Sequence, residues 1–225
     1  MVNSISHSHL GPMMVTGGAA LLTWNTDSPK AGPVAEFLPH NDREKNVIIL
    51  SVAFSPFHND LVCFCTNDGR LTLFNVSSQA VVAHYESPPQ APAFTSLAWH
   101  PVKPHRVMAG CEDGRVYNFD TSSSIIAVLP NGVFAGESGG AVVEIAVDPT
   151  GTTLACAKSG GATLLFDIQR PTEIVATFHT KVKKSVYCVG WSQLEQGQGD
   201  RYEDLQVMSG SSDRNLRFWD PAAGK

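Results

Sequence analysis

The chain has 225 residues, of which 43% are hydrophobic and 16% are charged, a composition typical of a globular protein rather than a disordered tail. Its formal net charge of −5 argues against a general nucleic-acid binder, which needs a basic surface to displace counterions. No apolar run approaches the ~18 residues that span a bilayer, and the first residues lack the features of a secretory signal. We therefore expect neither a membrane protein nor a secreted one.

One pattern recurs from the start of the chain to its end. A short apolar run is followed by a polar turn and by a second short run that closes on an aromatic residue. The copies are Met13–Asn25, Leu61–Asn75, Arg106–Asp120, Thr153–Asp167 and Val207–Asp220. Two β-rich runs around Ser, Asp, Asn or Gly are typical of a β-hairpin. The sequence therefore predicts a hairpin that is repeated five times.

Two spacings measure this repeat. The closing aromatic residues lie 45–53 residues apart, and they are Trp24, Phe74, Phe119, Phe166 and Trp219. The polar corners that follow the preceding strand lie 44–48 residues apart, and they are Ser55, His100, Asp148 and Ser192. A unit of about 45 residues is the size of a four-stranded propeller blade. Since no window shows sustained helical periodicity, we predict an all-β propeller of four-stranded antiparallel blades.

The repeat divides the chain into five units within one domain, 1–225. The units cover about 1–40, 41–86, 87–130, 131–179 and 180–221. The first strand of the first unit has to come from the weak segment Met1–Leu10, and the outer strand of the third unit is predicted at Ser124–Leu129. The fifth unit stops before an outer strand, which would leave an unpaired edge. The histidines near the corners, His58, His100 and His105, are interpreted as surface turn residues.

The five cysteines indicate a reducing environment. They form no CxxC pair, they are odd in number, and all lie in apolar, strand-like runs: Cys63, Cys65, Cys111, Cys156 and Cys188. Buried reduced thiols are the simplest interpretation of this arrangement. We therefore expect an intracellular protein, cytoplasmic or nuclear.

The last repeat carries a specific resemblance. With Ser209, Asp213 and Trp219 followed by Asp220, the sequence resembles a WD-repeat β-propeller over about residues 13–220. The resemblance implies a buried hydrogen-bonded tetrad of His179, Ser209, Asp213 and Trp219, which satisfies the indole and imidazole N–H groups. The other units depart from this pattern, since Phe74 stands where the tryptophan is expected and the third and fourth units lack the histidine.

The resemblance also raises a question about ring closure. The family is mostly seven-bladed, and only about five units are recognisable here. The chain is then a fragment of a larger propeller, a ring completed by strands of a partner, or a five-bladed ring. The absent outer strand of the last unit favours an incomplete or fragmentary ring. A partner that completes the last blade would add a strand to its edge and gain affinity from main-chain hydrogen bonds.

Signs of enzymatic chemistry are missing from the sequence. It contains no glycine-rich phosphate loop, GxSxG elbow, HExxH motif or CxxC metal pair. The repeated acids Asp148, Asp167 and Asp220 fit strand corners better than the asymmetric carboxylate pair of a glycosidase. His7 and His9 are interpreted as a solvated tail rather than as metal ligands. We expect no catalytic residue, metal site or cofactor.

Three groups of residues are the candidates for partner binding. The tight basic cluster consists of Lys181, Lys183 and Lys184. The residues before the turn acids are Asn67, Glu112 and Ser212. The long insertion Gln193–Asp204 contributes Arg201 and Tyr202, which are residue types favoured at interfaces. These predict a non-catalytic scaffold that displays its loops to proteins or peptides in a larger assembly. The alternatives are a glycosidase-like propeller enzyme and a reader of modified peptide tails.

Overall fold

The computed structural model describes residues 1–39, 46–86, 92–134, 140–180, 184–192 and 205–222, and side chains in these ranges except at positions 29 and 129–132. In this part of the chain there are nineteen β-strands and one 3₁₀ turn, Pro29–Ala31. No helix in the described ranges is long and apolar enough to cross a bilayer. The predicted all-β class is confirmed.

The strands form five antiparallel sheets, and neighbours in the chain are neighbours in each sheet. The first sheet contains β1 (Val2–His7), β2 (Met13–Gly18), β3 (Leu21–Asn25) and β4 (Ala35–Phe37). The second contains β5 (Ile49–Phe54), β6 (Leu61–Thr66), β7 (Leu71–Asn75) and β8 (Ala80–Tyr85). The third contains β9 (Phe94–Trp99), β10 (Arg106–Cys111), β11 (Val116–Asp120) and β12 (Ala127–Phe134). The fourth contains β13 (Val142–Val147), β14 (Thr153–Lys158), β15 (Ala162–Asp167) and β16 (Ile174–His179), and the fifth contains β17 (Val186–Trp191), β18 (Val207–Ser211) and β19 (Leu216–Trp219).

The structure shows what corresponds to the two irregular units of the sequence repeat, the first and the fifth. The weak N-terminal segment does supply the first strand, because β1 pairs with β2 from Val2 to His7. The fifth sheet has three strands in the described part of the chain, as the missing outer strand predicted. The outer strand of the third sheet differs from the prediction. It begins and ends later, at 127–134, because Phe134 pairs with Val116 and is buried against the ring of Phe166.

Burial explains why the second strand of each central sheet reads as a continuous apolar run. In β6, β10 and β14 nearly every residue is buried, on both faces of the sheet. Such runs occur when a strand is covered on both sides. The sheets therefore stack face to face along the chain, with apolar clusters that join the second sheet to the third and the third to the fourth.

Hydrogen bonds between sheets repeat at the same position of the first strands. In β1, β5 and β13 the third residue of the strand accepts the amide N–H of the fourth residue of the next first strand, whereas the equivalent Ser96 Oγ of β9 has no hydrogen-bond partner in the described part of the chain. Ser4 Oγ accepts from Val52 N at 3.1 Å, Ser51 Oγ from Leu97 N at 3.1 Å, and Glu144 Oε2 from Val189 N at 2.9 Å. Burial raises the pKa of Glu144, and the Val189 amide partly offsets that effect. The repeated bond fixes the register of one sheet on the next.

The stack of sheets does not close into a ring in the described part of the chain. First strands pack in the order β1, β5, β9, β13 and β17, and the outermost sheets keep one face exposed. Ile5 on β1 is 62% exposed, whereas Val52, at the equivalent position of β5, is 5% exposed. At the other end Cys188 is exposed, so the prediction of five buried thiols is wrong at this position. In the described part of the chain, no further sheet covers the face that carries this thiol.

A polar residue caps the turn after each first strand. Its side chain accepts amide N–H groups of the turn, as Ser55 Oγ does from Phe57 N and Asp148 Oδ1 from Thr152 N. His100 has this role in the third sheet, where its Nδ1 accepts from two turn amides. His100 is only 1% exposed, so its interpretation as a surface residue is wrong. The turn of the next sheet covers it, and Gly151 there leaves no space for a side chain beside the imidazole.

The buried imidazole of His100 predicts a pH-dependent stability. Burial, with the nearby charges of Lys103 and Arg106, lowers its pKa to about 4, although Asp148 opposes this. Unfolding restores a value near ~6.5. Because the unfolded chain binds the proton more tightly, the stabilisation is complete above that pH and is lost as the pH falls towards 4.

We expect His100→Asn to remove part of this dependence. An asparagine oxygen can accept the same turn amides without titrating in this range. Between pH 7 and pH 4 the wild-type chain should lose on the order of 2 kcal/mol more unfolding free energy than the variant, after allowance for solvent screening. Urea denaturation at pH 7, 5.5 and 4.5 measures this difference. Parallel curves for both proteins would contradict a titrating buried His100.

Candidate partner-binding surface

The turns between the second and third strands lie at one end of the sheets, which we call the turn end. In the second to fifth sheets, the residue after the second strand donates its backbone N–H to the carbonyl that precedes the first strand of the same sheet. The residues at this position are Asn67, Glu112, Ser159 and Ser212. The four N–O distances are 2.9–3.1 Å. The three predicted residues Asn67, Glu112 and Ser212 are all exposed and occupy equivalent places.

A left-handed residue shapes each turn of the turn end from the second sheet to the fifth. Gly69, Gly114 and Gly161 have φ of 87°, 86° and 92°, and Arg214 has φ of 67° in the fifth sheet. Only glycine adopts this region without steric cost. In three turns an aspartate accepts the amide N–H two residues later, as Asp113 does from Arg115 and Asp213 from Asn215. These contacts hold the turn backbone in one conformation.

Neighbouring turns are also tied to each other. Lys158, which is 1% exposed, extends from the fourth sheet and donates from Nζ to Gly114 O in the third-sheet turn at 2.6 Å. Ser185 Oγ donates to Ser159 O at 2.8 Å and so ties the fifth sheet to the fourth. The turn end is therefore a continuous, pre-organised surface across these three sheets.

The aspartates of the turn end are paired with neighbours on their own sheets. Asp113 accepts the hydroxyl of Tyr117 at 2.7 Å. Burial first, and then Asp113, raise the pKa of that hydroxyl to about 12. The guanidinium of Arg217 donates to Asp213 and holds the pKa of this carboxyl at about 2. Glu112 and Lys184 are two exposed charges of the turn end that a partner can approach.

Of the three lysines in the basic cluster, only Lys184 lies in the described part of the chain. Lys184 is exposed, and its backbone carbonyl accepts from Ser211 Oγ at 3.3 Å, which places it beside the turn that holds Ser212. Lys181 and Lys183 lie outside the described residues, as do Arg201 and Tyr202 of the long insertion. The structure thus places Lys184 beside the turn that contains Ser212.

The four residues of the implied tetrad are not joined into one network. Trp219 Nε1 donates to Ser209 Oγ at 2.8 Å, and the indole stacks on Phe178 with ring centroids 4.8 Å apart. Asp213 is bound by Arg217 instead. Among the described residues, none forms a hydrogen bond with the exposed side chain of His179. Ser209 and Trp219 lie on adjacent strands of one hairpin.

The comparison with known proteins bears on this last part of the chain. The family model described as WD40, "WD domain, G-beta repeat", matches residues 172–220. These residues are similar to a WD40 repeat. The match and the repeated four-stranded antiparallel sheets fit a WD-repeat family, in which no particular member is singled out. No curated protein matches the chain.

The WD40 repeat does not coincide with one sheet. Its residues include β16, the outer strand of the fourth sheet, and all three strands of the fifth. The matched residues therefore span two sheets, which are connected by the chain as well as by packing.

Some contributors to the turn end escaped the sequence interpretation. Lys158 is the last residue of β14, where the second, third and fifth sheets have Thr66, Cys111 and Ser211. A single cation at the end of an apolar strand was the sequence feature that could have indicated its role. Its buried position depends on the carbonyl of the preceding sheet. Within the described ranges, no group of three or more His, Cys, Asp or Glu side chains is placed to hold a metal ion.

Proposed function

We propose that this protein is a non-catalytic protein-interaction scaffold that uses the turn end to bind proteins or peptides within a larger assembly. WD40 repeats generally act as interaction scaffolds, which is the coarse basis of the proposal. The observation that carries it is the repeated main-chain bond that holds Asn67, Glu112 and Ser212 at equivalent exposed places. A surface that is already ordered loses little conformational entropy when a partner binds.

The free edge of β19 supports a second mode of binding to the same kind of partner. The first four sheets have an outer strand next to their third strand, whereas β19 pairs with β18 alone in the described part of the chain. We propose that a partner can add a strand there, with main-chain hydrogen bonds supplying the affinity. We also propose an intracellular location, cytoplasmic or nuclear, which the five free thiols support.

The alternative functions have less support. A glycosidase-like enzyme needs two carboxyl groups at a defined separation. Glu144 is a carboxyl whose pKa burial raises, but it accepts the Val189 amide between two sheets rather than facing a cleft. For a reader of modified peptide tails, no specific observation in the described residues favours an aromatic cage. The scaffold is therefore the function that we put forward.

Charge reversal at the two ends of the sheets tests the proposal. The double variant Glu112→Lys with Lys184→Glu alters the turn end and keeps the net charge. The control, Lys103→Glu with Glu173→Lys, alters exposed residues of turns at the opposite end. The measurement compares binding of the partners that the immobilised wild-type chain retains from its native extract. We expect these partners to bind the turn-end variant at least about tenfold more weakly and to bind the control variant as tightly as the wild-type chain. Equal retention of the same partners by both variants would overturn the proposal.

A further inference from the structure

The dipeptide Ser-Pro occurs three times in the chain, at Ser28, Ser55 and Ser87. Proline has a fixed φ and no backbone N–H, and it biases the preceding residue towards an extended conformation. A serine in this context is the phosphate acceptor that proline-directed protein kinases select. Ser87 lies outside the described residues, so the structure distinguishes between Ser28 and Ser55.

Ser55 has a structural role that excludes it as an acceptor. Its side chain is fully buried, and its hydroxyl oxygen accepts the backbone N–H of Phe57 at 3.2 Å. Its own backbone N–H donates to Leu61 O at 2.9 Å, which closes the turn between β5 and β6. A kinase would have to unfold this turn before it could reach the hydroxyl.

Ser28 is in the opposite situation, on the connection between β3 and β4. The side chain is exposed, and its hydroxyl makes no capping hydrogen bond to the 3₁₀ turn that follows. Its backbone is not helical, with φ of −132°. Asp27 and Lys30 beside it are exposed as well. The hydroxyl is therefore accessible, and its modification breaks no hydrogen bond.

The connection between β3 and β4 also stands clear of the sheets. A Cβ added at Gly32 would meet no atom within 4 Å, so the space around this residue is open. The backbone hydrogen bonds near Ser28 are local, from Ser28 N to Asn25 O and from Ala31 N to Ser28 O. Bonds of a single exposed turn open at little cost in free energy. Residues 27–33 can therefore adopt the extended form that a kinase cleft binds.

We propose that Ser28 is a phosphorylation site for a proline-directed protein kinase. The Ser28 hydroxyl oxygen attacks the γ-phosphorus of Mg²⁺-bound ATP, and the new O–P bond forms as the bond to ADP breaks. The hydroxyl proton passes to the catalytic aspartate of the kinase. The product adds a charge of about −1.5 to −2 to an exposed loop.

This inference goes beyond the proposed function. The connection that carries Ser28 follows the end of β3 at Asn25, whereas the turn end holds the β2–β3 turn at the other end of that strand. The two surfaces are separate, so either proposal can fail without the other.

The test compares each serine in the folded chain with the same serine in a short peptide. The substrates are the complete chain and synthetic peptides of residues 21–36 and 48–63, which contain Ser28 and Ser55. Each is incubated with a purified proline-directed kinase and MgATP, and mass spectrometry locates the phosphorylated residue. Both peptides should react. In the complete chain Ser28 should react within about tenfold of its peptide rate, whereas Ser55 should react at least about a hundredfold more slowly than its peptide.

Variants of the complete chain test the acceptor and the kinase class. Ser28→Ala should abolish phosphorylation of residues 21–36, and Pro29→Ala, which keeps the hydroxyl, should lower its rate at least about tenfold. The control Ser122→Ala removes an exposed serine that no proline follows and should leave the rate unchanged. All these chains also carry Ser87→Ala, so that the third Ser-Pro does not contribute. With native extract as the source of kinase, Ser28 should again be phosphorylated.

The remaining outcomes overturn the proposal. Phosphorylation of Ser28 in its peptide but not in the folded chain would show that the connection is closed to a kinase. An unchanged rate in Pro29→Ala would exclude the proline-directed class. Equal rates at Ser28 and Ser55 in the chain would show that the reaction follows unfolding, and native extract that leaves Ser28 unmodified would show that its kinases do not use this site. Turn-end variants change none of these readouts.

Discussion

Replacement of Phe119 by alanine is expected to lower the free energy of unfolding by about 3–5 kcal/mol, the range for large aromatic side chains removed from a core. Phe119 is fully buried, and its ring lies 5.2 Å from that of Tyr85 and 5.6 Å from that of Phe94. Since the cluster joins the second and third sheets, the cavity would open at their interface. Urea denaturation of the purified chain measures the loss.

The matched control is the same chemical change on another third strand. Phe218→Ala removes a ring that is 59% exposed, so the expected loss is at most about 0.5 kcal/mol. A comparable loss in the two variants would contradict the burial of Phe119 between two sheets. Because the two residues are of one type, differences in side-chain volume do not affect the comparison.

Replacement of Asp148 by alanine is expected to cost about 2–4 kcal/mol, because it leaves buried amides without an acceptor. The carboxylate is fully buried and accepts the backbone N–H groups of Thr152 and Thr153 at 2.8 and 3.0 Å. It also accepts the hydroxyl of Thr150 at 2.6 Å. Hydrogen bonds to a charged group are worth more than neutral ones. The loss is again measured by urea denaturation at pH 7.

Asp120→Ala serves as the control for this turn. Asp120 accepts one amide, from Ser122, in an exposed setting at 2.8 Å. Its removal should cost less than about 1 kcal/mol. If both variants lost the same stability, the turn after β13 would not depend on its buried carboxylate. The corresponding positions Ser55 and His100 accept fewer bonds, so we expect Asp148 to be the most sensitive of the set.

The hairpins could be predicted because their determinants are local. Strands β6, β10 and β14 begin and end where the sequence predicts, since each is a continuous apolar run bounded by turn residues. The Trp219–Ser209 hydrogen bond is local as well, because it joins adjacent strands of one hairpin. Of the candidate site, the exposed positions Asn67, Glu112 and Ser212 followed from the repeat itself. Repeat spacing carries that information without any knowledge of packing.

The environment of equivalent residues could not be predicted in this way. Val116 and Leu216 occupy the same register position on the same face of their sheets, yet Val116 is 1% exposed and Leu216 is 60% exposed. The sequences around the two residues contain nothing that indicates this difference in exposure. The difference comes from a neighbouring sheet that is present on one side and absent on the other.

The sequence by itself determined the number of hairpins, the limits of their central strands β6, β10 and β14, and the turn chemistry, because these depend on residues within about 15 positions of one another. Only the tertiary structure decided that His100 and Lys158 are buried, that Cys188 is exposed and that the sheets form an open stack. Each of these depends on what the adjacent sheet places opposite the residue. The physical reason is that strand formation is a local property of the chain, whereas solvent exposure depends on contacts between sheets about 45 residues apart in sequence.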